Sequence, residues 1–422
     1  MNELSKRLIE AVKNDLIPSL GVTEPGAIAY ASACAARALG GTVDSVSVSL
    51  NSGIYKNSFT CAVPGTGGTG CALAAALGAV CGDPAKGLMC TEGASHDAVE
   101  EAKLMVKEGR AAAKLASISP DIEIAASVSG ENGSAEALVR GRHDRLVKLT
   151  VNGTELPVPE YREEKSEDAT FSVSSVSFAD LIECADTAEG LEFIDDAVRM
   201  DLALFEEGKR SGLMPLTESR FLPGETSAEL LTCGAIEARV RGANAPAMAI
   251  TGSGSHGILC IMPVYASSVC EETKADPDRT RRAMLLSCLV TMYIKELSGL
   301  LSTACGCVLA GGTGAALGMT YLYAEDRLFE RLSLALNTMA ASVTGMICHG
   351  GNTGCSLKAA VGVKMALAAC EMALEGLGAE SEHGILGPTP EETMRNMGRI
   401  ARDMLPVEST IIGIMKSKSE KA

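Results

Sequence analysis

ELSGLLSTACGCVLAGGTGAALGMTYLYAED, residues 296–326, holds a single charged side chain, Glu325, between its two terminal acids. The stretch is long enough to cross a bilayer, yet it contains Gly299, Gly306, Gly311, Gly312, Gly314 and Gly318 and two cysteines, and charged helical patterns flank it. It therefore reads as a loop feeding a buried central helix, not as a membrane span. A helix of small residues buried all round needs other helices against every face. This predicts a mostly helical body over 161–422, with helices at about 178–186, 190–209, 226–241, 277–300, 306–322, 326–344, 356–376 and 390–403.

Working outward, a different periodicity occupies 43–160. VDSVSVSL at 43–50 alternates with period two, as a half-buried strand does. Further strand patterns fall at 58–63, 122–128 and 146–151, with helical ones at 68–80 and 94–114. This segment reads as a smaller α/β domain inserted near the N-terminus. Residues 1–42 form two helices, the first carrying Leu4, Leu8, Ile9, Val12 and Leu16 at helical spacing, and are expected to pack back onto the helical domain. PVPEYREEKSED at 157–168 reads as a linker, with a short strand after it near 170–176. The predicted class is α+β: a mostly helical catalytic domain with Gly-rich loops plus the smaller inserted domain.

Composition narrows the function. The formal net charge is −16 with no Lys/Arg run, which disfavours nucleic acid and anionic lipid as partners. Aromatics are 3% with no Trp, while Gly reaches 44 and Met 18, so helices are expected to approach closely. Met1-Asn2-Glu3-Leu4-Ser5-Lys6-Arg7 lacks the apolar run of a secretory leader, so a cytoplasmic protein with reduced thiols is expected. Under those conditions the 15 cysteines point to metal binding or catalysis before disulfides.

Four motifs carry chemistry. Cys305-Gly306-Cys307 precedes the central helix, and Cys348-His349-Gly350-Gly351-Asn352-Thr353-Gly354-Cys355 is too glycine-rich for a helix interior. Soft thiolates on such a loop suit an iron–sulfur cluster, or zinc with His349 or His256 as a fourth ligand, or they are three core cysteines. Thr251-Gly252-Ser253-Gly254-Ser255-His256 reads as a polar loop able to hold a carboxylate beside an acid–base histidine. Gly65-Thr66-Gly67-Gly68-Thr69-Gly70 matches a dinucleotide-type G-x-G-x-x-G, without the acid expected about twenty residues on. Glu24 of Val22-Thr23-Glu24-Pro25 opens a helix, as a dipole-favoured charge or as a carboxylate for a substrate amine.

Together these motifs resemble the L-cysteine desulfidase family, whose catalytic part is similar to the α-chain of iron–sulfur L-serine dehydratases. The matching segments are GVTEPGAIAYA at 21–31, YKNSFTCAVPGTGGTG at 55–70, GSGSHGI at 252–258, CGCVLAGGTGAALGM at 305–319 and GMICHGGNTGCSLK at 345–358. The resemblance implies a [4Fe–4S] cluster on Cys305, Cys348 and Cys355, with Cys307 competing with Cys305. It implies a lyase that removes a β-thiol or β-hydroxyl from a small amino acid, giving a keto acid and ammonia. Expected catalytic residues are His256, Glu24 and Thr23; expected substrate contacts are Lys56, Asn57, Thr66, Ser253, Ser255, His349 and Asn352. Two departures stand out. Val22 occupies a position that is Cys in the family, and His349 and Asn352 replace an acid and a lysine. These changes argue against cysteine desulfidation, and a related lyase with another substrate fits better than simple decay, because the Gly-rich loops remain intact. The rival readings are a cluster-bearing metabolite or redox sensor and a nicotinamide enzyme built on 65–70. Small-residue helix faces make a homodimer plausible.

Overall fold

The computed structural model describes residues 1–158, 171–220, 227–270 and 275–419. Two apolar cores meet along one seam. In the larger, helices Gly254–Ser268, Pro277–Ser298 and Thr313–Tyr323 are buried along almost their whole length and pack on one another. Glycine permits this approach. A Cβ on Gly314 would fall 2.4 Å from the Ser287 carbonyl oxygen, so the two backbones lie closer than larger residues allow. Helices Ser227–Val240, Leu328–Val343, Gly354–Leu374 and Pro390–Asp403 surround the three.

The stretch at 296–326 does what its composition requires. Gly299 turns the chain with φ +82°, a loop follows, and a π-helical turn, Cys307–Gly312, runs into the buried helix Thr313–Tyr323. Among the described residues no helix is long and apolar enough to cross a membrane.

The smaller core lies under a six-stranded sheet, in the order Ala111–Ser117, Val43–Asn51, Glu123–Gly130, Gly133–Arg140, Leu146–Val151, Thr154–Leu156. The first pair is parallel and the rest antiparallel. A parallel pair needs a long crossover, and here it carries helices Cys71–Cys81 and His96–Lys107. Helix Thr23–Leu39 packs beside Cys71–Cys81 on the sheet, so closely that a Cβ on Gly78 would fall 2.1 Å from the Ala29 carbonyl oxygen. Helix Glu3–Asp15, capped by Asn2, instead sends Leu8 and Val12 into the larger core. A two-stranded ladder, Ile17–Leu20 against Pro246–Ala249, joins the two bodies immediately before the 251–256 turn.

The α+β class stands, with several local corrections. Residues 58–63 form no strand, only an isolated bridge between Ala62 and Thr69. The helix expected to reach 114 ends at Lys107, because Gly109 at φ +74° turns the chain into the parallel strand Ala111–Ser117. Val173–Ser175 is a 3₁₀ turn instead of a strand, its Val173 and Ser174 N–H groups held by the Glu296 carboxylate at 3.1 and 2.8 Å. The polar 251–257 loop becomes helical from Gly254 and is buried. Residues 159–168 of the expected linker lie outside the described residues.

Candidate active site at the seam

Backbone pairing first brings two cysteines together. The Cys305 N–H donates to the Met346 carbonyl and the Cys348 N–H to the Thr303 carbonyl, both at 2.7 Å, around a bridge between Ala304 and Ile347. Two glycines then bend the chain. Gly350 has φ +99°, and a Cβ there would stand 2.5 Å from the Lys56 carbonyl oxygen. The Gly351 N–H donates to the Asn57 carbonyl at 3.0 Å. The Asn352 side chain accepts from the Gly354 N–H at 3.0 Å, starting the helix whose first turn carries Cys355. Cys307 opens the π-helical turn.

All four thiols line one cavity, and none is in a disulfide. Among the described residues no three His, Cys, Asp or Glu side chains are grouped tightly enough to hold one metal ion. A single zinc needs four ligands converging on one point, whereas each thiolate around an iron–sulfur cube holds a separate iron. Soft donors gathered on a glycine-bent loop and the turn beside it are of the kind that suits such a cluster.

The thiols are electrostatically distinct. Hydrogen bonding between the two thiols, with the backbone N–H groups of Val308 and Cys307 adding to it, pulls Cys305 below its ordinary value although burial opposes this, and holds Cys307 above its own. Burial pushes Cys355 up to about 12.

Around the thiols stand groups of both charges. Arg239 is buried; its guanidinium donates to Ser255 Oγ at 2.8 Å and Thr23 Oγ1 at 3.1 Å, and its Nε has no partner. Among the described residues no carboxylate lies within ion-pair distance of it. Burial pulls Lys295 down to about 8 against the opposing pull of the cysteines, and its Nζ donates to the Leu300 carbonyl at 3.2 Å. Glu24, also buried, accepts from Asn57 Nδ2 at 2.7 Å, and Asn57 Oδ1 in turn takes the Cys348 S–H at 3.6 Å.

His256 is oriented by Thr251. Thr251 Oγ1 lies 2.7 Å from the Ile250 carbonyl and 2.6 Å from His256 Nδ1. With the hydroxyl hydrogen on the carbonyl, the ring proton sits on Nδ1 and the Nε2 lone pair is free. Nε2 faces the cysteine turn: a Cβ on Gly306 would lie 2.7 Å from it and 3.0 Å from Lys295 Nζ. Burial, then the charges of Lys295 and Arg239, hold this imidazole well below its ordinary value, so it is neutral at physiological pH. A second histidine, His143, reaches the cavity from the 141–145 loop of the small sheet; it is buried, and its Nε2 has no partner.

Of the expected residues, Glu24, Asn57, Ser253, Ser255, His256 and the four cysteines line this cavity. The others are engaged elsewhere. Thr23 sits behind Arg239, and Lys56 pairs with Glu408 at 3.2 Å. Thr66 closes its own turn by donating to the Val63 carbonyl at 2.8 Å. His349 and Asn352 meet each other across their turn, at 3.2 Å. Sequence reading missed Arg239, Lys295, Lys358 and His143, all of which line the cavity. Lys295 did leave a signal, as the first charge after the uncharged run 283–294. His143 left none, since RGRHDR at 140–145 looks like a solvated loop.

Residues 86–412 match the model of the serine dehydratase alpha chain family. A UPF0597 protein of Clostridium botulinum (strain Langeland) is 36% identical over 427 residues, covering 98% of this chain and 99% of the relative. UPF0597 proteins of Geobacter sulfurreducens and Caldanaerobacter subterraneus are 34% and 33% identical, each covering 97% of this chain and 98% of the relative. The chain belongs to the serine dehydratase alpha chain family, among its UPF0597 relatives.

Proposed function

We propose that this chain is a lyase that removes a β-hydroxyl or β-thiol from a small amino acid, releasing a keto acid and ammonia, with a [4Fe–4S] cluster held by Cys305, Cys348 and Cys355. The observation that carries the reading is one cavity combining four free thiols, a buried arginine with no carboxylate partner among the described residues, and a buried glutamate. That charge pattern complements an amino-acid zwitterion. Cys305 is taken over Cys307 on the family resemblance, and its N–H, donated to the Met346 carbonyl at 2.7 Å, ties it directly to the segment leading into Cys348. When bound, the cluster supplies a Lewis acid for the β-substituent.

The protein's own groups supply the remainder. Arg239 and Ser255 bind the substrate carboxylate, and Glu24 binds its ammonium. His256 Nε2, neutral and facing the thiols, removes the Cα proton. The C–H electron pair becomes the Cα–Cβ double bond as the bond to the β-substituent breaks. Lys295 stabilises negative charge developing at the carboxylate and leaving group. The resulting aminoacrylate takes up a proton to become an imine, which water hydrolyses to the keto acid and ammonia. Val22 gives the wall an apolar side chain close to Gly351, which supports a substrate other than cysteine. The test is anaerobic incubation of iron-loaded protein with L-serine, L-threonine, L-cysteine and related β-substituted acids. At least one is expected to yield equal amounts of keto acid and ammonia; iron-loaded protein inert towards the whole set would overturn the reading.

A further inference from the structure

Lys56 and Glu408 form an ion pair that the elimination does not use, their side chains 1% and 3% exposed. So complete a burial costs desolvation that mutual attraction scarcely offsets, and the pair is better explained by what it holds in place. Glu408 Oε2 also accepts from Thr303 Oγ1 at 2.9 Å. The Thr303 carbonyl takes the Cys348 N–H at 2.7 Å. On the other side, the Lys56 carbonyl fills the space beside Gly350, and the Asn57 carbonyl takes the Gly351 N–H. One carboxylate thus ties down both segments that carry the 348–351 loop.

Glu408 belongs to the helix Leu405–Ser419, which packs on helix Ser52–Ser58 and buries Glu408, Ile411, Ile412 and Met415 as one stripe. Without Glu408 the buried Lys56 ammonium is left without its ion-pair partner, in the segment whose carbonyls hold Gly350 and Gly351.

We propose that Glu408 is a positioning residue for the cofactor. By fixing Thr303 and pairing with Lys56, it holds in place the two segments that carry Cys348 and the 348–351 loop, which makes the C-terminal helix part of the cluster-holding machinery. The inference rests on the cluster reading above. Its test is the rate at which anaerobically reconstituted protein loses iron to an excess of chelator, followed by absorbance. Glu408→Gln, which preserves shape and the acceptor for Thr303, is expected to lose iron roughly 10-fold faster, as outer-shell partners of metal ligands do. Adding Lys56→Met removes the ammonium that Glu408→Gln leaves buried and unpaired, and is expected to restore retention to within about 3-fold of wild type. Should Glu408→Gln fail to fold, Thr303→Val reads the same loop contact and is expected to speed iron loss. Equal release from wild type and variants overturns the clamp and leaves the lyase reading standing, and so does a double variant worse than the single. A wild type that takes up no iron removes both.

Discussion

Arg239 shows what a single buried side chain decides. Among the described residues its charge has only two hydroxyl partners and an idle Nε, an arrangement tolerable in a cavity that takes up an anion. Arg239→Met is expected to raise KM for the amino acid about 100-fold with a smaller fall in kcat, as loss of a buried charge-assisted contact does. Steady-state kinetics over a substrate series checks this; a fall in kcat alone would mean that the arginine does not bind the carboxylate. At this scale the sequence was partly legible. Cysteines in a glycine-rich frame and a histidine after Gly-Ser-Gly-Ser announce themselves by composition. Arg239 and His143 do not, because a charge in an ordinary helix or loop gives no sign that folding will bury it. Lys56 misled in the opposite direction, since its partner Glu408 stands 352 positions away.

Among elements, the ligand loop depends on glycine for two separable reasons. Gly350 combines φ +99° with a backbone oxygen 2.5 Å from its missing Cβ, whereas Gly345 has φ +101° and open space around it. Gly345→Ala is therefore expected to cost about 1 kcal/mol of backbone strain and keep its iron. Gly350→Ala must also push residues 56 and 350 apart, and is expected to lose most bound iron. Thermal melts and iron counts on the two variants check the contrast; equal iron retention would contradict it. Helices with strong apolar patterns were readable to within a few residues. The parallel strand Ala111–Ser117 was not, because helix and strand there differ only by the turn at Gly109. The helix Leu405–Ser419 escaped notice because its buried stripe contains a glutamate.

For the molecule as a whole, the α+β class followed from two periodicities side by side, but the meeting of two cores at one cavity did not, since contacts such as His143 with the 252 turn are long-range. Stability carries a trace of this packing. Burial holds the Asp201 carboxyl up at about 8, against the pull of the Met248 N–H that it accepts. The folded state therefore binds more protons than the unfolded chain between pH 4 and 8. Asp201's contribution is full below the unfolded value near 4 and is lost as pH rises through 8. Asp201→Asn is expected to gain on wild type steadily between pH 5 and 8.5, by on the order of 4 kcal/mol across that range. Denaturant titrations across that range check this, and parallel pH profiles would contradict it.

The central claim is that Cys305, Cys348 and Cys355 hold an iron–sulfur cluster in this cavity. Anaerobic purification, with iron and acid-labile sulfide counted per chain, tests it most directly. The account predicts about four of each in wild type and in Cys370→Ala, a buried thiol on the same helix as Cys355, and loss of both in Cys355→Ala. Protein that holds neither iron nor sulfide after anaerobic reconstitution, or that holds them equally well without Cys355, would contradict it.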